Sequence, residues 1–133
     1  PDNRRLADRL AKGAQEVWKL SGAGSVGGQS LTGIAALEGL RRRMPLQIWP
    51  FDPVSARPAA SCVPVLAEVF PSLVQHNAAA HPVRDAAQVL GLAKTLAGWD
   101  ASGRLGDMIH AAARFPDSVR SHEGMILGLE HGL

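Results

Sequence analysis

Between residues 63 and 73 the chain reads VPVLAEVFPSL, and its centre, VLAEVF, is an almost continuous apolar run carrying one carboxylate, Glu68. A strand with one wet face alternates apolar and polar residues. A run without that alternation suits a strand covered on both faces, as in an α/β sheet flanked by helices. The segment LQIWPF (46–51) has the β-branched and aromatic content of a second strand. Before it, SLTGIAALEGLRRR places Leu31, Ile34, Ala35, Leu37 and Leu40 near helical spacing, with Ser30 as its N-cap. Arg41 to Arg43 then sit at the negative end of that helix's dipole, and Pro45 stops it.

The remaining segments extend this α/β pattern. Residues 3–12 predict a short helix with Leu6 and Leu10 on one face, stopped at Gly13. Glu16 to Leu20 (EVWKL) predicts a short extended segment. Residues 52–64 predict a loop, and a second loop with His76, Asn77 and His81 leads to Pro82. The longest helix is predicted over 83–105, with Val89, Leu92, Ala93, Leu96 and Trp99 as its apolar stripe. A short helix over 107–114 and a last strand within EGMILGLEHGL complete the order. Two or three strands make a thin sheet, which predicts part of a larger one.

Composition narrows the function. The chain has 133 residues, 46% of them hydrophobic and 20% charged, within the range of a single globular domain. A net charge of +2 is no nucleic-acid footprint by itself, although the basic residues are mostly arginine, which suits planar contact with phosphate. No apolar run reaches the length of a membrane span. The chain opens with the polar PDNRRLADRL, so no secretory leader is expected. One cysteine, Cys62, can form neither an internal disulfide nor a cysteine-based zinc site, and points to the cytoplasm.

Three groups of residues carry possible chemistry. Gly22, Gly24 and Gly27 spell GxGxxG ahead of a helix, with Asp52 after the next strand. That is the layout of a nucleotide- or dinucleotide-binding βαβ unit. A P-loop is excluded because Gly28 and Gln29 stand where its lysine and hydroxyl belong, and Ser25 lacks the flanking glycine of a nucleophile elbow. Glu68 inside its apolar strand needs a partner, a metal or an exposed edge. Asp85, in the first turn of the long helix, complements the dipole. Together they suit a Mg²⁺ or Mn²⁺ site, since hard cations take oxygen ligands and bridge phosphates. The five histidines show no zinc spacing, and Trp18, Trp49 and Trp99 each sit on an apolar face expected in the core.

Taken in order, VWKLSGAGSVGGQSLTGIAALEGLRRR, LQIWPFD, VLAEVFPSL, VRDAAQVLGLAKTLAGWDASGRL and EGMILGL resemble the C-terminal half of a bacterial family of unknown function. Its members have a predicted RNase H-like fold and are described as predicted nucleases. The resemblance implies a mixed sheet flanked by helices and metal-dependent hydrolysis of phosphodiesters. It also implies Glu68 and Asp85 as catalytic and metal-binding residues, with arginines touching nucleic-acid phosphate. The family's leading strand, a VDWSA-like segment with an Asp, has no counterpart here. The expectation is therefore a single domain over 1–133, or the C-terminal part of one RNase H-like domain, inactive alone. Its apolar strands would be covered by the missing half or by a homo-oligomer; the remaining alternative is a non-catalytic interaction domain.

Overall fold

The computed structural model describes residues 3–54, 63–74 and 81–129. Its elements are α1 (Leu6–Leu10), α2 (Gly27–Arg41), β1 (Gln47–Ile48), β2 (Val65–Leu66), α3 (Arg84–Ala101) and α4 (Arg104–Ala111). Single turns of tighter helix follow at Pro71–Leu73 and Ala112–Arg114, and a π turn closes Val119–Glu123. The fold is mixed α/β. Its sheet is two parallel strands, with Gln47 beside Val65 and Ile48 beside Leu66. A parallel bridge from Glu68 to Ile126 adds a third segment, in which the Leu127 N–H donates to the Glu68 carbonyl at 2.9 Å.

Several expected elements change shape. Glu16 to Leu20 folds as a turn, with the Lys19 N–H bonded to the Glu16 carbonyl at 3.1 Å, so no strand precedes α2. α2 begins at Gly27, four residues early; Ser30 lies inside it and donates its hydroxyl back to the Val26 carbonyl at 3.1 Å. The helix expected over 83–105 divides, because Gly103 takes a φ of 78° and restarts the chain as α4. The strand over 46–51 shortens to two residues: Asp52 bends the chain back, its Oδ2 accepting the Ile48 N–H at 2.8 Å, and the Trp49–Pro50 peptide is cis. The final strand reduces to the bridge at Ile126. VLAEVF is not buried on both faces, since Leu66 and Val69 stay more than a third exposed.

The core lies on one side of these strands. Ala7 and Ala11 of α1, Trp49, Met108 of α4, Phe115, Val119 and the 125–127 segment are all buried there. Trp49 is its centre. It is 2% exposed, meets Phe115 edge-to-face with centroids 5.7 Å apart, and donates its indole N–H to the Ile109 carbonyl at 2.9 Å. Of the other two tryptophans, Trp99 is half-buried beneath Arg104, and Trp18 is 49% exposed, outside the expected core. α3 contributes one buried residue, Ala87, and Val89 of its expected stripe is 60% exposed. No helix among the described residues is long and apolar enough to cross a membrane.

Replacing Trp49 by Ala removes the largest fully buried side chain and its indole bond to the Ile109 carbonyl. Urea unfolding should show a loss of about 3–5 kcal/mol. A loss under about 1 kcal/mol would mean that the core is centred elsewhere.

Candidate functional site

α2 stands over a groove of about 450 Å³ bordered by the strands. Ile48, Leu66, Ala67 and Met125 line it from the strand side, and Gly33, Ile34 and Leu37 from α2. Trp18 and Phe51, each nearly half exposed, complete the apolar lining. At the end near Ser30 the lining turns polar, with Arg5, Glu68, His122 and Glu123. The site is thus an apolar trough with a charged end.

The charged end is built around Arg5. Its Nη1 and Nη2 donate to the two oxygens of Glu68 at 2.8 and 2.9 Å. Nη2 and Nε donate to Asp8 at 2.8 and 3.2 Å, and Nη1 also reaches the Glu123 carbonyl at 3.3 Å. All five guanidinium N–H donors are therefore occupied, and none is left for a phosphate. Glu123 contributes separately by accepting the Leu6 N–H at 2.8 Å, at the start of α1. Burial works against a charged guanidinium, but the bonds and negative charges of Glu68 and Asp8 outweigh it and raise the Arg5 pKa above its ordinary value. Arg5 therefore keeps its charge throughout the ordinary pH range. Two carboxylates, those of Asp8 and Glu68, share this one guanidinium, one negative charge more than it neutralises.

The residues predicted from sequence fall as follows. Glu68 lies just past β2, its side chain 43% exposed, and its partner is Arg5. Asp85 sits exposed in the first turn of α3, a different element, where its negative charge complements the helix dipole. Among the described residues no three Asp, Glu, His or Cys side chains gather as a metal-binding group. Gly22 and Gly24 have φ of 86° and 72°, the left-handed region that glycine tolerates. Gly27 is close-packed: a Cβ there would lie 2.8 Å from the Lys19 carbonyl, which also accepts the Gly27 N–H at 2.8 Å. These glycines answer the approach of their own chain, and the N–H that a dinucleotide phosphate would use is already bonded. Asp52 is likewise engaged, with Ile48 N–H and with Arg41 at 3.2 Å. Cys62, His76, Asn77 and His131 lie outside the described residues.

Sequence reasoning missed Arg5, Asp8 and Glu123. Arg5 and Asp8 stand at i, i+3 in NRRLADRL, an ordinary surface pairing in any helix. Nothing local signals that Glu68, 63 residues away, completes it.

Asp8, 3% exposed, depends on Arg5 for its charge compensation. Arg5→Met should therefore cost about 3–5 kcal/mol in urea unfolding, the range for stranding one half of a buried pair. A second change, Asp8→Leu, should recover part of that loss. If Arg5→Met costs no more than an exposed pair does, about 1 kcal/mol or less, the tie holds nothing together.

Comparison of the chain with known protein families, with curated proteins and with solved structures finds no match.

Proposed function

We propose that this chain is an assembly module, whose working form is a complex covering α2 and the groove beneath it. The observation that carries this reading is the exposure of α2 itself. From Gly27 to Leu40 the helix has one charged residue, Glu38, and only Gly27 is buried. Leu31 and Ile34 are 54% and 53% exposed. A helix with so little charge that leaves branched apolar side chains half exposed presents an apolar surface of the kind that marks an interaction site.

Its composition points the same way. Gly27, Gly28, Gly33 and Gly39 each make the helix about 1 kcal/mol less favourable than alanine would. A helix of this length is marginal in water even when its sequence is a good one. Among the described residues α2 makes no extensive contact with another helix or strand. Cover from outside supplies the missing packing.

A second reading stays with phosphodiester chemistry: in an RNase H-like domain, Glu68 and Asp85 would join acids from another segment to hold Mg²⁺ or Mn²⁺. It is supported by the place of Glu68 at the carboxyl end of a parallel strand, where α/β sheets carry their ligands. The donors of this chain alone do not fit such an ion, since both oxygens of Glu68 already accept from Arg5 and a cation would have to displace that guanidinium. Broadening of amide signals by Mn²⁺ separates the readings. Selective broadening beside Glu68 and Asp85 supports the ion, and its absence sets the ion aside.

Hydrogen exchange tests the assembly reading directly. In the dilute chain the α2 amides should exchange within roughly tenfold of the rate of an unfolded peptide, while α4 is protected; assembly should slow α2 by more than tenfold. An α2 as protected as α4 at every concentration would defeat the proposal.

A further inference from the structure

We infer that the surface covering α2 is a second copy of this chain, joined about a two-fold axis that sets the two α2 helices side by side and antiparallel. This rests on the assembly reading and adds the identity and orientation of the partner. The argument begins with charge. Val26, Gln29 and Ser30, at the start of α2, line one recess with Arg5, Asp8 and Glu68. The acid-rich cluster therefore lies at the N-terminal end of α2. The other end runs into Arg41, Arg42 and Arg43, where Arg41 reaches Asp52 at 3.2 Å.

A partner for this face must be apolar along about 22 Å, the length of fifteen helical residues at 1.5 Å each. It must also be basic where it meets the acid end. α2 itself meets both requirements. Laid antiparallel on a second α2, it places its arginine run over the partner's cluster, and the two-fold axis repeats the match at the other end. A parallel arrangement would set arginines against arginines, which like-charge repulsion disfavours. The bond between Arg42 and Glu38 is 3.0 Å long but solvent-exposed on both sides, so it competes weakly with a new partner.

Area and symmetry agree with this. Leu31 lies within about 60° of Ile34 around the helix, and with Trp18 and Phe51 the four expose about 400 Å² per copy, half of the roughly 800 Å² per partner in a standard interface. The stems of Arg42 and Arg43 and the small residues between the leucines add to it. Ile34 is the midpoint of Gly27–Arg41, so an isologous antiparallel pair brings Ile34 against its own copy.

Light scattering over a dilution series of about 1–100 µM should show a dimer that dissociates on dilution. Ile34→Glu, at a half-exposed position, should keep the far-UV circular dichroism of the parent and raise the dissociation constant by at least about tenfold. Arg42→Glu with Arg43→Glu, on the exposed helix end, should do the same and remove most of the salt dependence. Ile34→Cys in a Cys62→Ser background should cross-link on oxidation. A dimer that ignores the Glu substitutions and does not cross-link overturns the proposed geometry. A chain that is monomeric throughout, with α2 unprotected from exchange, overturns the second copy and leaves the cover to another protein. A monomer with α2 protected overturns the assembly reading as well.

Discussion

One guanidinium joins the two ends of this chain to its strands. Arg5 reaches Glu68 and Glu123, 63 and 118 residues away in sequence. The sheet could not provide that linkage: each strand has two residues, and the third segment is a single bridge. A ladder so short supplies few hydrogen bonds, each worth about 1 kcal/mol net. What fixes the positions of β2 and the 124–127 segment is therefore packing against Trp49 and the Arg5 tie. The geometry of the tie suits its load. A planar fork satisfies two carboxylates at once, which a lysine in the same place could not.

The same arrangement makes the strands lopsided. On the α1 and α4 side their residues are closed into a core, with Trp49, Met108, Met125 and Ile126 almost fully buried. On the α2 side the strand residues open into a trough, and the helix above covers little of it. In a layered α/β domain both faces of the strands are normally packed. Here one layer is complete and the other is present but unseated. That contrast locates the functional surface more firmly than any constellation of titratable groups does.

The sequence revealed the α/β class, the helical segments and the position of the arginine run at a helix end. It was least informative where a local pattern met a distant partner. VLAEVF reads as a strand buried on both faces, because apolar content is all that periodicity can register. Whether such a run is covered depends on what packs on it, and Leu66 and Val69 are left partly open. Glu68 stands out in the sequence as the lone carboxylate of an apolar run. Its compensation is an arginine from the N-terminal helix, and no spacing rule connects the two. The glycine motif is ambiguous for a related reason. A glycine-rich turn before a helix can serve a bound phosphate or the chain's own backbone, and Gly27 serves the Lys19 carbonyl.

The glycines of α2 then acquire a physical meaning that GxGxxG does not contain. Gly28, Gly33 and Gly39 meet nothing within 4 Å where a Cβ would stand, so the described fold does not require their small size. Each lowers helix stability without any compensation inside the chain. A helix that accepts this loss while exposing Leu31 and Ile34 is organised around a contact that lies beyond it. Its stability and its binding are then one quantity, since covering the apolar face supplies the packing that its own sequence lacks.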